Sequence, residues 1–352
     1  MKAILLAGGQ GTRLRPLTLN TPKPVVPIFD RPFLTYQIDL LKQVPEIDEV
    51  VLSLNYQPEA IAAVFGDGSE FGIKMRYVVE PEPLGTGGGI KFASRGIDGP
   101  IVVFNGDVLT EIDLGAVIRL HRERQARATI VLTPVENPSA FGLVETDGRQ
   151  NVQRFIEKPQ PGDITTNRIN AGIYVLETAT FDRIPDGVSW SIERKYFPSL
   201  IERGETFLAF DYPGYWIDIG TPEKYLQVHH DILAGRFRAA PFRDQPAPRA
   251  CVSPTARISP EATIESPCFV GDDVTVEAGA RIAPLSVIGR GARLDAKAVV
   301  DGAVIWPGCV VGPGATVQNA IAGRDCRLDA NTRVGAGAVL GDGTHLTDFT
   351  RA

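Results

Sequence analysis

The sequence predicts an α/β domain built on a mostly parallel sheet, followed by a parallel β-helix. Residues 1–232 alternate short apolar runs with amphipathic helical segments, a pattern typical of a parallel sheet covered by helices on both faces. Residues 251–352 carry an aliphatic residue at every sixth position, a period that fits neither a helix nor an isolated strand. A length of 352 residues also exceeds what one hydrophobic core usually spans, so we expect two domains.

Strands and helices alternate along the N-terminal domain. The predicted strands lie at 2–7, 50–54, 74–79, 101–104 and 128–133, and the predicted helices at 33–44, 58–65 and 114–125. In sheets of this kind, ligands bind beyond the carboxyl ends of the strands. A motif that serves function should therefore follow a strand directly.

The C-terminal repeat has an aliphatic residue in one slot and a slim residue two positions earlier. The aliphatic positions run from Val252 in steps of six to Val300, slip by one to Ile305, Val311 and Val317, and resume from Leu328 to Leu346. This is the hexapeptide pattern of a coil whose three sides are short strands. Cys268, Cys309 and Cys326 occupy slim slots, so we interpret them as packing residues rather than a redox site.

The two patterns meet at a stretch rich in proline and arginine. We therefore predict a domain at 1–232, a linker at 233–250 and a repeat domain at 251–352. Lys and Arg number 36 against 42 Asp and Glu, and the net charge of −6 argues against a nucleic-acid partner. No apolar run reaches the roughly 18 residues of a membrane span, and the apolar start ends too early for a signal peptide. These features predict a cytoplasmic protein that binds no membrane.

A glycine-rich loop follows the first strand. Gly8, Gly9 and Gly11 would let the backbone approach a phosphate chain, and Arg13 supplies a forked donor for its oxygens. The loop lacks both the Lys-Ser/Thr end of a P-loop and the third glycine of a dinucleotide fingerprint, so spacing alone leaves a tight turn equally possible. Lys23 is a second cation, and the prolines on either side of it restrict its backbone.

Two acids follow strands further along the chain. Asp107 ends Asn105-Gly106-Asp107, and Asp218 lies in Asp218-Ile219-Gly220. Taken singly, either acid fits a turn. Two acids at strand ends beside a phosphate-binding loop instead favour a magnesium site, because Mg²⁺ prefers oxygen ligands together with substrate oxygens.

Several motifs occur together and in order, and jointly they resemble the sugar-1-phosphate nucleotidyltransferases. They are Gly8 to Thr18, Pro22-Lys23-Pro24, Leu84-Gly85-Thr86, Asn105-Gly106-Asp107, Glu157-Lys158-Pro159, Asn170-Ala171-Gly172 and Asp218-Ile219-Gly220. The resemblance covers residues 1–232 and is closest to the mannose-1-phosphate guanylyltransferase subfamily. It implies a Rossmann-like, GT-A-like nucleotidyltransferase domain, and the repeat matches the left-handed β-helix of the longer members.

The resemblance implies transfer of a nucleotidyl group from a nucleoside triphosphate to a sugar 1-phosphate, with GTP and mannose 1-phosphate as the expected pair. Gly87-Gly88-Gly89-Ile90 is also similar to heptose-1-phosphate guanylyltransferases and to uridylyl- and cytidylyltransferases. The thymidylyltransferases usually carry a glutamine between positions 84 and 88, and this sequence has none there. A thymidylyltransferase is therefore disfavoured among these alternatives.

The resemblance also implies roles for individual residues. Nucleotide binding is expected at Leu6, Ala7, Gly8, Gly9, Gly11, Thr12, Arg13, Gly85 and Thr86, and sugar-phosphate binding at Gly142, Glu157, Lys158 and Asn170. Arg13, Lys23, Asp107, Lys158 and Asp218 form the expected catalytic set, in which Asp107 and Asp218 would hold Mg²⁺.

Two alternatives concern the whole chain. A non-catalytic regulatory subunit that binds a nucleotide sugar should lack a metal acid or a signature cation, and here all five residues of the expected catalytic set are present. An acyltransferase usually needs a histidine and a long loop on its β-helix, and only His345 lies within the repeat. We instead expect the β-helix to be an assembly module of a homo-oligomer.

Overall fold

The computed structural model of the protein describes residues 1–243 and 249–352. Its helices are α1 (Leu34–Leu41), α2 (Pro58–Phe65), α3 (Gly85–Ala93), α4 (Leu114–Glu123), α5 (Phe197–Glu202) and α6 (Pro222–Leu233). The strands before the repeat are β1 (Lys2–Leu6), β2 (Pro27–Ile28), β3 (Arg31–Pro32), β4 (Glu49–Leu54), β5 (Lys74–Val79), β6 (Pro100–Asn105), β7 (Val108–Thr110), β8 (Ala128–Pro134), β9 (Gly142–Thr146), β10 (Val152–Glu157), β11 (Arg168–Glu177), β12 (Phe207–Asp211) and β13 (Trp216–Asp218).

The repeat contributes seventeen further short strands. They are β14 (Ala250–Val252), β15 (Arg257–Ile258), β16 (Thr263–Ile264), β17 (Cys268–Val270), β18 (Thr275–Val276), β19 (Arg281–Ile282), β20 (Val287–Ile288), β21 (Arg293–Leu294), β22 (Val299–Asp301), β23 (Val304–Ile305), β24 (Val310–Val311), β25 (Thr316–Gln318), β26 (Ile321–Ala322), β27 (Arg327–Leu328), β28 (Arg333–Val334), β29 (Val339–Leu340) and β30 (His345–Leu346). Every strand and helix predicted from the sequence is present, with ends that differ by a few residues.

The chain divides into two compact units. The first comprises Met1–Gly9 and Leu34–Trp216, and the second comprises Gln10–Phe33 and Ile217–Ala352. The segment Gln10–Phe33 is therefore grouped with the repeat, although the sequence pattern assigns it to the N-terminal domain. Part of the predicted linker, residues 244–248, lies outside the described residues. The domain boundaries drawn from the sequence stay a prediction.

The first unit contains a nine-stranded mixed sheet. Its middle is parallel, because β1 lies between β4 and β6 and pairs with both in parallel, and β5 extends the sheet beyond β4. Beyond β6, the long strand β11 runs antiparallel and also pairs with β8 and β9. The expected parallel α/β core is confirmed. Apart from β6 and β8, which were predicted, the antiparallel pairs of this sheet are formed by strands in residues 142–177, where the sequence pattern predicts no strand.

Helix α3 was not predicted, because it begins with Gly85 and contains three consecutive glycines, which are poor helix formers. The glycines are required by packing. A Cβ atom on Gly87 would lie 3.1 Å from the Trp190 carbonyl oxygen, and one on Gly88 would lie 2.9 Å from that of Val188. Close approach to a neighbouring backbone therefore overrides the intrinsic preference at these positions.

The repeat folds into three parallel sheets of a left-handed β-helix, as predicted. Each strand pairs with the strand one coil later, so that Val252 meets Val270 and Val270 meets Ile288. The aliphatic slots and the slim slots form one buried interior. The sequence pattern has no aliphatic residue in step between Val317 and Leu328. Ala322 occupies that interior position and is buried with the others.

No helix in the two described stretches of the chain is long and apolar enough to cross a membrane. The longest of them, α6, has 12 residues, whereas a bilayer span needs about 20. This helix begins at a Thr221 cap and buries Tyr225, Val228 and Ile232 along one face.

Candidate active site

The sequence-predicted site residues are divided between the two units. The first unit holds Leu6, Ala7, Gly8, Gly9, Gly85, Thr86, Asp107, Gly142, Glu157, Lys158 and Asn170, and the second holds Gly11, Thr12, Arg13, Lys23 and Asp218. Leu6 is the last residue of the parallel strand β1, and Asp107 lies two residues after the end of β6, as the placement rule for parallel sheets requires. Glu157 is the last residue of the antiparallel strand β10.

In the first unit, the carboxyl end of β1 packs against the turn that carries Asp107. The Gly106 amide donates to the Leu6 carbonyl oxygen at 2.9 Å. A Cβ atom at Gly106 would lie 2.3 Å from that same oxygen, so only glycine allows this approach. The adjacent loop is similarly tight, since a Cβ at Gly8 would lie 3.1 Å from the Asn55 amide nitrogen. The glycine at position 106 therefore lets the turn that carries Asp107 pack directly against the end of β1.

The expected base pocket lies at the start of α3. Gly85 has a left-handed φ of 68°, and Gly87 N–H donates to the Trp190 carbonyl oxygen at 2.8 Å. The Thr86 hydroxyl donates to Glu193 Oε2 at 2.7 Å and accepts from the Ile192 amide at 2.9 Å. These two bonds connect the start of α3 to the segment around Glu193 and occupy the Thr86 hydroxyl.

The expected sugar pocket is formed by adjacent antiparallel strands. Gly142 is paired with Glu157, and a Cβ at Gly142 would lie 3.0 Å from Glu157 Oε2. Asn170 is held by two bonds, since its Oδ1 accepts from the Gly172 amide at 2.9 Å and its Nδ2 donates to the Tyr174 hydroxyl at 2.8 Å. The half-buried Glu157 carboxylate and the oriented Asn170 amide are groups that could bind sugar hydroxyls.

Burial is the main cause that raises the pKa of Glu157, and the negative charge of Glu193 raises it further. The positive charges of Lys158 and Arg194 act in the opposite direction. Glu193 is thus electrostatically linked to the predicted sugar residues, although sequence reasoning gave it no role. The signal for it was the acid within Ser191-Ile192-Glu193-Arg194, a segment similar to the guanylyltransferase pattern.

Lys158 is exposed and has a left-handed backbone, with φ of 55°. Its amide donates to the Phe141 carbonyl oxygen at 3.1 Å, which closes the end of the β9–β10 pair. The Phe141 ring packs edge-on against Trp216, and the Trp216 indole N–H donates to the Ala171 carbonyl oxygen at 2.9 Å. These contacts anchor the turn that presents Lys158.

In the second unit, the glycine-rich loop is folded onto the Lys23 segment. Gly11 has φ of 62° and caps the short 3₁₀ helix Thr12–Leu14. Its carbonyl oxygen accepts from the Thr18 hydroxyl at 2.8 Å. A Cβ at Gly11 would lie 3.3 Å from Lys23 Cβ, so the structure brings the loop and the second predicted cation together.

Arg13 and Asp218 both approach Gly220 in the second unit. A Cβ at Gly220 would lie 3.1 Å from Arg13 Nη2 and 3.0 Å from Asp218 Oδ2. The other carboxylate oxygen, Asp218 Oδ1, accepts from the Lys224 ammonium group. Asp218 is buried, and the Lys224 ammonium group is its paired cation. An anion site with a buried carboxylate at its edge can hold a polyphosphate together with a cation.

The metal prediction rests on two acids in different units, Asp107 and Asp218. Among the residues described, no group of three or more His, Cys, Asp or Glu side chains could hold a metal ion. A site shared by these two acids stays a prediction, in which a divalent cation would take its remaining ligands from substrate oxygens and water. The oxygen donors present here therefore suit a hard cation rather than a thiophilic one.

Comparisons with known proteins agree with this chemistry. The family model described as nucleotidyl transferase matches residues 2–235, and the model described as GMPPB C-terminal domain matches residues 264–351. A mannose-1-phosphate guanylyltransferase of Mycobacterium tuberculosis is 38% identical, covering 86% of this chain and 79% of the relative. A probable mannose-1-phosphate guanylyltransferase 1 of Oryza sativa is also 38% identical, covering 97% of this chain and 96% of the relative.

Among solved structures, HddC from Yersinia pseudotuberculosis in complex with GMP-PN is similar, with a TM-score of 0.55 and 30% identity. The match covers 64% of this chain and 96% of that one. The nucleotidyl transferase model spans most of the chain and includes every residue assigned above to the candidate active site. With a glycine-rich loop, signature cations and strand-end acids in the expected order, the chain belongs to the nucleotidyl transferase family.

Proposed function

We propose that this enzyme transfers GMP from GTP to mannose 1-phosphate, forming GDP-mannose and pyrophosphate. The observation that carries the choice of substrates is the match to guanylyltransferases along the whole chain, repeat included. The GMP-PN bound to the similar Yersinia protein is a guanine nucleotide, which supports the same base. The alternatives are the other pairs that the loop resembles, with heptose 1-phosphate or with UTP or CTP.

The reaction joins two anions, so the protein must suppress their repulsion. An oxygen of the sugar phosphate attacks the α-phosphorus of the nucleotide, the bond to the β-phosphate breaks, and pyrophosphate leaves with the electron pair. A phosphate is already ionised near neutral pH, so the nucleophile needs no general base. Catalysis then depends on alignment and on positive charge placed around the transferring group.

Each cation of the site has a proposed place in this scheme. Arg13 would bind the leaving pyrophosphate, because its exposed guanidinium lies beside Gly220 at the loop end. Lys23 would neutralise charge near the α-phosphate, since it lies against Gly11 in the same loop. Lys158 would bind the phosphate of the sugar, as it follows the sugar-side residue Glu157 directly.

We propose Mg²⁺ as the divalent cation, with Asp107 and Asp218 as its protein ligands. When bound, Mg²⁺ would neutralise phosphate charge and act as a Lewis acid at the α-phosphate. In the structure, the Lys224 ammonium group pairs with Asp218. This bond engages Asp218 Oδ1, so Oδ2 is the oxygen that we propose for the cation.

The sugar would be recognised by hydroxyl contacts. Glu157 is an acceptor for hydroxyl groups, and the remaining N–H and lone pair of the Asn170 amide can each make one further bond. Half-buried polar groups of this kind disfavour sugars that leave them unpaired. Thr86 would line the base pocket mainly through its backbone, because its hydroxyl is bound to Glu193.

Pyrophosphate release with Mg²⁺ tests the proposal. GTP, ATP, UTP, CTP and dTTP would each be combined with mannose-, glucose-, heptose- and N-acetylglucosamine-1-phosphate. A dominant rate for GTP with mannose 1-phosphate is expected. A different dominant pair would overturn the substrate assignment, and tight binding of GDP-mannose by folded protein without any turnover would favour a regulatory subunit.

Self-association and cellular location stay predictions. Val252 on the first described coil and Phe349 on the last one are apolar side chains that are 37% and 72% exposed. We propose that the chain forms a homo-oligomer to which the β-helix contributes, and that it works in the cytoplasm. Light scattering of the full chain tests the first point, and a monomer at micromolar concentration would contradict it.

A further inference from the structure

One face of the β-helix differs from the other two. In the sheet that contains β17, β20, β23 and β26, the interior positions are Val270, Ile288, Ile305 and Ala322. Neighbouring residues of a strand point to opposite sides, so the residues just before these point outward. They are Phe269, Val287, Val304 and Ile321, all apolar and all buried. The corresponding outward positions of a second sheet include Arg257, Arg293 and Arg327, which are exposed.

The apolar face is covered from within the same compact unit. The Phe29 ring lies 5.1 Å from the ring of Phe269 on β17. Beside it, Asp30 Oδ1 accepts from the Arg290 amide at 3.2 Å. A Cβ at Gly271 would lie 2.2 Å from Asp30 Oδ2, so the coil is shaped to admit this carboxylate. The segment that follows Lys23 is therefore seated on the β-helix.

A buried chain of hydrogen bonds joins the same face to this segment. Trp306, directly after β23, is 1% exposed, and its indole N–H donates to the Tyr225 hydroxyl at 2.9 Å. The Tyr225 hydroxyl donates in turn to the Pro27 carbonyl oxygen. His229 adds a parallel link, since its Nε2 accepts from the Phe29 amide at 3.2 Å. Buried donors left without such partners are costly, so these bonds specify one position for the segment.

Little freedom separates Pro27 from Lys23. The residues between them form a 3₁₀ turn, in which the Val26 amide donates to the Lys23 carbonyl oxygen at 3.2 Å. Prolines at positions 22, 24 and 27 restrict the backbone further. At its far end, Lys23 lies against Gly11 of the glycine-rich loop. A shift of the backbone at Pro27 would therefore also move Lys23 and the glycine-rich loop.

We propose that Trp306 and Tyr225 are positioning residues, through which the β-helix holds the Lys23 segment in its working place. This inference rests on the proposed role of Lys23 at the α-phosphate. It gives the repeat a part in catalysis within each chain, in addition to any part in assembly.

The test compares Trp306→Phe, Tyr225→Phe and the double variant in the full chain. Tyr225→Phe keeps the ring and removes only the hydroxyl, whereas Trp306→Phe replaces the indole with a smaller phenyl ring and removes the N–H together with part of the packing. We expect kcat to fall about tenfold in each, because small misplacements of charged groups near a transferring phosphate are costly in rate. The double variant should be no slower than the worse single variant, since both break one chain of bonds. The KM for mannose 1-phosphate should change less than twofold.

Tyr196→Phe is the matched control. Its hydroxyl is equally buried and bonds to Thr180 in the first unit, so its loss should lower stability without lowering kcat. The positioning role would be overturned by kcat values within twofold of the parent enzyme in both Trp306→Phe and Tyr225→Phe. Decreases in kcat equal to that of Tyr196→Phe would overturn it as well. So would a decrease in the double variant equal to the product of the two single decreases.

A readout without turnover separates this inference from the proposed substrates. Amide hydrogen exchange at Val26 and Phe29 should accelerate in Tyr225→Phe and stay unchanged in Tyr196→Phe. If the parent enzyme turns over none of the tested pairs while this difference is seen, the substrate proposal fails and the positioning role stands. Unchanged exchange in Tyr225→Phe, with an active parent enzyme, would overturn the positioning role alone.

Discussion

The guanidinium of Arg13 lies directly against the backbone of Gly220. A Cβ atom at Gly220 would be 3.1 Å from Arg13 Nη2 and 3.0 Å from Asp218 Oδ2. The glycine thus leaves room beside its backbone for both a signature cation and a predicted metal ligand, although these two residues are about two hundred positions apart in the sequence.

Gly220→Ala tests this closeness. The added methyl group must displace either the arginine or the carboxylate, so we expect kcat/KM for GTP to fall about tenfold, or 1.4 kcal/mol of transition-state stabilisation. The fold should persist, because both neighbours are side-chain atoms. Gly148→Ala is the control, since nothing lies within 4 Å of its Cβ position. Parent-like kinetics in Gly220→Ala would show that the space beside Gly220 is not needed to place Arg13 and Asp218.

Asp107→Asn tests the proposed metal site. Loss of the charge should lower magnesium-dependent kcat about a hundredfold or more, because a neutral amide is a poor ligand for Mg²⁺. Asp113→Asn is the control, as this nearby exposed acid caps α4 through a 3.0 Å bond from the Ala116 amide and should affect stability only slightly. Initial rates over a magnesium series measure both variants. Near-normal turnover in Asp107→Asn would contradict the assignment.

The sequence predicted those features that depend on a local pattern with one physical explanation. The six-residue period identified the β-helix, because only a stacked coil buries every sixth side chain. Gly8 and Asp107 could be placed because motifs follow strand ends. The packing of Phe29 against Phe269 could not be predicted, since it is a contact between segments that are far apart in the chain. Glu193 was missed for the same reason, as its link to Thr86 forms only in the folded unit.

Glu193→Gln should lower the pKa of Glu157. The Glu193 charge is the second cause of the raised pKa after burial, and removing a negative neighbour favours the ionised carboxyl. The acidic limb of kcat/KM for mannose 1-phosphate should therefore move to lower pH. Ionisation of the substrate phosphate is common to both enzymes and cancels in the comparison. Glu145→Gln, which removes an acid that pairs with Arg154, should leave the limb in place. An unmoved limb in Glu193→Gln would contradict the coupling.

His229 makes the stability of the second unit sensitive to pH. The ring is fully buried between Phe29 and Tyr225, and burial lowers its pKa from 6.5 to about 3. The unfolded chain therefore binds a proton that the folded chain does not between these values, so stability falls as the pH drops from 6.5 towards 3. The slope from this residue reaches at most about 1.4 kcal/mol per pH unit.

Urea denaturation at pH 7 and pH 5 measures this dependence. His229→Gln keeps one acceptor and one donor without a titrating ring, so its stability should be lower at pH 7 and should fall less between the two pH values. The matched control is His345→Gln, because His345 is exposed and pairs with Asp329 on the coil surface. If the free energy of unfolding changed equally with pH in His229→Gln and in the parent protein, the buried His229 ring would not be the source of the pH dependence.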